Sequence, residues 1–260
     1  MKKSNSKKSM KAVALTLAMV MGLSMLTACG KSKKDDSTQS DTSTEAAEEE
    51  VDMEAFNAEH DSGLDPEEGE LEPAPADSDE IDDKSNSRLV EYIRISPNRS
   101  TPRNHKIDTI TIHCMAGQLS IETCGNVFAN SKAKASSNYG IGRDGRIGLY
   151  VEEKDRAWCS SNSANDNRAV TIEVASDSFA PYAVSDKAYE SLITLVTDIC
   201  KRNGIKKLVW STDKMERIKH ENGCNMTVHR DFANKACPGD YLYNRMGEIA
   251  DRVNENLGAK

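Results

Sequence analysis

Ile107-Asp108-Thr109-Ile110-Thr111-Ile112-His113 is rich in β-branched residues, and its second half alternates apolar with polar, the pattern of a β-strand. The strand ends on a histidine. Working outward, Ser120 is placed to cap a helix running to about Asn130, with Ile121, Cys124, Val127 and Phe128 along one face. Asn138-Tyr139-Gly140-Ile141-Gly142 and Ile147-Gly148-Leu149-Tyr150-Val151 flank an Asp144-Gly145 turn, a strong hairpin signal. Val170-Thr171-Ile172-Glu173-Val174 reads as another strand. Ser185 opens a long helix with Tyr189, Leu192, Val196, Ile199 and Cys200 at helical spacing, stopped by Gly204. A last helix is expected from about Tyr241 to Asn256. Strands and helices interleave over about 175 residues, enough for one α/β domain with a substantial core and a central sheet covered by helices.

The chemistry concentrates in His229-Arg230-Asp231-Phe232-Ala233-Asn234-Lys235-Ala236-Cys237-Pro238-Gly239. A histidine, a lysine and a cysteine fall within nine residues, closed by a Pro-Gly turn that cannot continue a helix. Two imidazoles, from His113 and His229, and the Cys237 thiolate suit Zn²⁺, and three protein ligands leave a fourth position for water. That arrangement distinguishes a catalytic zinc site from a structural one and points to a hydrolase. Taken singly, a histidine ending a strand is usually a rim or core residue, and Cys237 is a thiol before a turn. Glu173 inside an apolar strand is different, because burying a carboxylate without a partner is costly.

The N-terminus has a separate character. Lys2, Lys3, Lys7, Lys8 and Lys11 precede an apolar stretch from Ala12 to Met25, which ends in Leu26-Thr27-Ala28-Cys29-Gly30. Charge asymmetry and a short apolar core mark a secretory signal rather than a permanent membrane span. The Leu-Thr-Ala-Cys ending resembles a bacterial lipoprotein box, which implies acylation of Cys29 and an extracytoplasmic protein lipid-anchored to the cell membrane. From Asp35 to Asp83 there are 21 Asp or Glu, no Lys or Arg, and Phe56 as the sole aromatic. Such a stretch has too little apolar surface to offset chain entropy, so a solvated stalk is expected. As a random coil of about 50 residues it would span about 40 Å, and further under charge repulsion. The expected organisation is a signal peptide over 1–28, a lipidated cysteine with its stalk over 29–87, and a catalytic domain over 88–260. Residues 84–260 carry 21 acids against 26 Lys plus Arg, so the folded part is mildly cationic although the whole chain is −8. That balance suits an anionic polymer such as bacterial cell wall. No aromatic-rich basic stripe suggests a nucleic-acid partner.

Together, Thr111-Ile112-His113-Cys114, Asn138-Tyr139-Gly140 followed by Arg143-Asp144-Gly145, Val170-Thr171-Ile172-Glu173 and the His229–Gly239 run resemble the type 2 N-acetylmuramoyl-L-alanine amidases, the zinc family that includes phage lysozyme-type amidases and peptidoglycan recognition proteins. The resemblance covers roughly Tyr92 to Asn256. It implies a single α/β domain with a central mixed β-sheet flanked by α-helices, and a groove over one face. It implies His113, His229 and Cys237 as zinc ligands and a peptidoglycan or muropeptide substrate, cut at the amide joining N-acetylmuramic acid to L-alanine. Glu173 matches the catalytic glutamate of some members, Lys235 a lysine whose charge would stabilise the oxyanion, and Tyr139 a tyrosine donating at the site edge. Members differ in whether they keep all three. A monomer is expected.

Cys114 follows His113 on a strand, so it should face away from the ion, as a core thiol. Cys114, Cys124, Cys159, Cys200 and Cys224 form an odd set that cannot all pair internally. His220, in a polar loop, is a groove contact rather than a ligand, and Trp158 with Ser160–Asn167 is positioned to line the groove. Two other readings stand beside the amidase. One is a muropeptide-binding module of the same fold, which would commonly lack the zinc cysteine; the other is a zinc peptidase acting within the stem peptide.

Overall fold

The computed structural model describes residues 85–259. The leader, Cys29 and the acidic stretch up to residue 84 lie outside the described residues. Within them the strands are β1 (Tyr92–Ile93), β2 (Arg99–Ser100), β3 (Thr109–Cys114), β4 (Tyr139–Ile141), β5 (Ile147–Leu149), β6 (Arg156–Ala157), β7 (Ala169–Val174) and β8 (Met226–Val228). Six form one sheet in the order β1-β5-β4-β7-β3-β8, antiparallel only between β4 and β5, while β2 and β6 form a separate antiparallel pair. The sheet is therefore mixed, with a parallel centre. The helices are α1 (Ile121–Phe128), α2 (Ser163–Arg168), α3 (Asp186–Asn203), α4 (Lys214–Lys219), α5 (Gly239–Tyr243) and α6 (Met246–Leu257).

Local chemistry explains the boundaries. The Ser120 hydroxyl accepts the Thr123 N–H at 3.1 Å and starts α1, and Ser185 does the same for α3 through Ala188 at 3.2 Å. Gly204 ends α3 in the left-handed region at φ +71°, which only glycine adopts without cost. The expected single last helix is instead two, α5 and α6. Arg245 donates its guanidinium to the Tyr241 carbonyl at 2.9 Å. A continuous helix would offer that oxygen to the Arg245 N–H, which bonds Leu242 O instead.

The period of two along the central strands divides the sheet chemically. Ile110, Ile112 and Cys114 of β3, Val170, Ile172 and Val174 of β7, and Met226 and Val228 of β8 join one apolar cluster with Leu192, Val196 and Ile199 of α3 and Ile249 and Val253 of α6. The alternate residues are Thr109, Thr111 and His113 of β3, Thr171 and Glu173 of β7, and Thr227 of β8, all buried although polar. Burial on both faces is what a parallel sheet covered by other elements requires. Over β4 and β5 the second face is closed by Tyr150, whose hydroxyl donates to Ile121 O of α1 at 2.7 Å. Packing begins before residue 88: Asn86 and Ser87 are buried, and Asn86 donates to Glu152 Oε1 at 3.2 Å.

Candidate metal and catalytic centre

Parallel register brings the polar residues of distant segments together. His113 lies opposite Glu173 across the β3–β7 pair, and Ile112 lies opposite Val228, so His229 leaves β8 level with His113. All sit at the carboxyl ends of the parallel strands, where loops rather than sheet decide the surroundings. The His113 and His229 ring centroids are 5.1 Å apart at 61°. Cys237 arrives from the loop after the His229–Asp231 turn, its Sγ 3.4 Å from His113 Nδ1 and accepting the Cys114 N–H at 3.4 Å. One candidate ligand atom from each of His113, His229 and Cys237 lies within 4.8 Å of the others. A tetrahedral zinc with ordinary Zn–S and Zn–N lengths would hold sulfur and nitrogen about 3.6 Å apart. The observed sulfur–nitrogen spacing is close to that, so this donor set fits the ion.

Glu173 is fully buried, with Oε1 3.8 Å from His113 Nδ1 and 3.8 Å from Cys159 Sγ. Burial, followed by the adjacent Cys114 thiol, holds the Cys237 thiol well above the ordinary cysteine range. A coordinated cation reverses that preference, because a metal-bound thiol is deprotonated. Lys235 is half-buried on the same loop, two residues before Cys237.

The turn that presents His229 is held from below. Asp231 accepts the Val228 N–H at 3.1 Å and a two-pronged contact from Arg217, at 2.5 Å and 2.9 Å. Arg217 is 1 % exposed, lies 4.3 Å over the Trp210 ring, and donates to Ser211 O at 2.7 Å. Arg230 ties this turn to the Cys237 loop, through its N–H to Cys237 O at 3.2 Å and its guanidinium to Ala236 O. Beyond the loop, a Cβ on Gly239 would run into Tyr182, and its φ of +75° also asks for glycine. Ser161 contacts His229 Nε2 at 3.1 Å. A hydroxyl and amide network of Thr111, Thr227, Asn165 and Ser160 fills the floor: Asn165 donates to Thr111 at 3.0 Å and Ser160 at 3.1 Å, and accepts from Thr227 at 2.9 Å.

Four of the sequence-derived site residues thus converge, His113, His229, Cys237 and Glu173, and Lys235 lies on the Cys237 loop. Tyr139 does not. Gly140, not Tyr139, stands opposite Glu173, so Tyr139 faces the other side of the sheet. There its hydroxyl donates to Glu153 Oε1 at 2.7 Å and accepts the Ser87 N–H at 2.9 Å. The expectation that Tyr139 donates at the site edge is corrected on that ground. His220 is also elsewhere. Its ring contacts Cys224 O at 3.1 Å and feels Asp108 and Arg168, at the opposite end of β3 from His113. Cys114 packs in the apolar cluster as a core thiol, although beside the Cys237 thiol rather than wholly away from the centre, and the six described cysteines are all buried and unbridged. The Ser160–Asn167 segment reaches the centre through Ser161, and Trp158 is anchored beside it by its indole N–H to Ser100 Oγ at 3.0 Å. Sequence reasoning missed Cys159 beside Glu173, the Arg217–Asp231 pair, and the threonines of the floor. Only the threonines left a signal, in the Thr109-x-Thr111-x-His113 alternation.

Comparison with known proteins places this centre inside a family match. The sequence profile described as N-acetylmuramoyl-L-alanine amidase matches residues 103–240, just over half of the chain. No curated protein matches. Solved structures that align with the chain include a mutant endolysin from Bacillus subtilis, at 15% identity and a TM-score of 0.46, covering 62% of this chain and 97% of that one. An AmpD derivative aligns at 18% identity and a TM-score of 0.46, covering 65% and 98%. The N-acetylmuramoyl-L-alanine amidase LysC from Clostridium intestinale aligns at 16% identity and a TM-score of 0.41, covering 62% and 93%.

Proposed function

The chain belongs to the N-acetylmuramoyl-L-alanine amidase family, and we propose that it cuts the amide between N-acetylmuramic acid and the L-alanine of the stem peptide with a zinc ion held by His113, His229 and Cys237. The observation that carries this reading is the convergence of those three ligand atoms within 4.8 Å of one another, with a buried carboxylate alongside. When bound, zinc supplies Lewis acidity toward the amide carbonyl and acidifies a water. Glu173 accepts the proton of the attacking water and returns it to the leaving amine. Lys235 brings positive charge to the side where the oxyanion develops. Ser161, on His229 Nε2, and the Arg217–Asp231 pair under the His229 turn keep that imidazole oriented.

The test is product analysis. The purified full chain is stripped of metal, reloaded with zinc, and incubated with purified peptidoglycan. Free stem peptides beginning with L-alanine, lost on chelation and restored by zinc, are the expected result. Cuts inside the stem would make it a peptidase. No products, with muropeptide binding intact, would make it a recognition module.

The same reading places the enzyme outside the cytoplasm, lipid-anchored through Cys29 and held off the membrane by the acidic stretch. Its support is the lysine-rich leader, the short apolar run and the Leu26-Thr27-Ala28-Cys29 ending. Cys29→Ser is expected to move the protein from the membrane to the soluble fraction; unchanged partitioning refutes the anchor.

A further inference from the structure

His113 belongs to two ligand sets. Candidate donor atoms of His113, Cys159 and Glu173 also lie within 4.8 Å of one another, and all three residues are buried. Cys159 Sγ is 3.8 Å from Glu173 Oε1, and that oxygen is 3.8 Å from His113 Nδ1. Around a tetrahedral zinc, sulfur–oxygen and nitrogen–oxygen edges measure about 3.4–3.6 Å. The two edges that meet at Glu173 Oε1 therefore need to close by only a few tenths of an ångström. Nor is Cys159 loosely held. The Asp166 carboxylate accepts the Cys159 N–H at 3.0 Å, the Ser160 N–H at 3.2 Å and the Ser160 hydroxyl at 2.6 Å, which fixes the chain at the thiol.

We propose that Cys159 and Glu173 form a second cation position in this centre, filled when a thiophilic divalent metal is supplied beyond one equivalent, and that its occupation stops turnover. The second part rests on the reading of Glu173 as the base. A cation on that carboxylate takes the lone pair needed for the water proton. With the first position filled, His113 is engaged there, and the second cation rests mainly on Cys159 and Glu173. It is therefore the weaker position and fills only in excess. A thiolate in the set selects zinc, cobalt or cadmium over magnesium and calcium.

Cobalt(II) titrated into the metal-free full chain, read by thiolate-to-metal absorption, tests the position without reference to activity. Wild type is expected to show one thiolate band at the first equivalent and a further increment in excess. Cys159→Ser is expected to keep the first and lose the second. His229→Ala/Cys237→Ser, which dismantles the first set, is expected to retain a thiolate band that disappears when Cys159→Ser is added. A wild-type titration that ends at one equivalent overturns the proposal, and so does a second increment that survives Cys159→Ser. If the double variant fails to fold by circular dichroism, the wild-type and Cys159→Ser comparison decides alone. In parallel, wild-type hydrolysis is expected to fall at least ~10²-fold when zinc rises from one equivalent to the excess that fills the second position, the least that loss of a general base implies. The Cys159→Ser rate should not fall in that range, and magnesium at the same excess should leave wild type unchanged. Equal zinc inhibition in both proteins overturns the inhibitory role. A wild type that shows both cobalt increments but no hydrolysis at one equivalent of zinc instead defeats the amidase reading and leaves the cation position standing.

Discussion

Replacing Arg217 with methionine removes one half of a buried ion pair that touches the metal centre only through His229. The two side chains are 1 % and 0 % exposed, and their contacts are 2.5 Å and 2.9 Å. Methionine fills similar volume against Trp210 and Tyr243 but leaves the Asp231 carboxylate with only the Val228 N–H, at 3.1 Å, of the contacts described above. Uncompensated burial of a charge of this kind costs about 3–5 kcal/mol. For a domain of this size that lowers Tm by roughly 6–20 °C, at about 2–4 °C per kcal/mol. Asp231 also caps the turn that presents His229, and without Arg217 nothing else described holds its second oxygen in place, so zinc affinity should fall by about 10–100-fold, the usual weight of a group that orients a metal ligand. The assays are thermal unfolding followed by circular dichroism, with and without chelator, and zinc competition against a chromophoric chelator. Arg217→Met/Asp231→Leu, which leaves no buried charge, should recover much of the lost Tm. It should not recover zinc affinity, because Asp231→Leu removes the acceptor of the Val228 N–H and so uncaps the turn. A single variant that melts within about 3 °C of wild type and binds zinc as tightly would refute the reasoning.

Glu173→Gln should keep fold and metal and lose turnover by about 10²-fold or more, the weight of a general base; near-normal rates on peptidoglycan would move that role elsewhere. Gly140→Ala places a Cβ 2.5 Å from the Tyr150 ring, which is anchored by its hydroxyl to Ile121 O and cannot give way. Overpacking of that kind costs about 1–3 kcal/mol, read as a lower denaturant midpoint; an unchanged midpoint would show that the ring moves. Burial alone would raise the pKa of Asp108, but hydrogen bonds from Arg168 and Thr109 outweigh it and hold it below the ordinary aspartate value. The folded state then binds fewer protons than the unfolded one at that site, so its stabilisation is present above about pH 4 and is lost as pH falls through the depressed value. Asp108→Asn should therefore be less stable than wild type at neutral pH, with the gap narrowing as pH falls below about 4 in paired denaturant melts; a gap independent of pH would mean the pair contributes no charge-dependent stability.

Periodicity and capping are local, and they were legible. The β3 and β7 strands, the Ser120 and Ser185 caps and the Gly204 stop follow from neighbours within a few residues. The zinc-ligand candidates were legible because histidine, lysine and cysteine crowd into one short run, and because His113 closes an alternating strand. The break between α5 and α6 was not, since it depends on one arginine reaching back to a carbonyl that the helix would have used.

Other features depend on register, which no single segment contains. Tyr139 and Gly140 are neighbours in sequence, yet pairing with β7 sets Gly140 opposite Glu173 and turns Tyr139 to the far face. A one-residue shift would have exchanged their roles, because side chains alternate with a period of two. Arg217 meets Asp231, and Cys159 meets Glu173, across 14 residues in each pair, through loops whose paths are set by packing. The sequence by itself determined which groups the chain has for metal-assisted amide hydrolysis and which elements carry them. The tertiary structure decided which of those groups share a face, because that follows from how strands align with one another rather than from any strand alone.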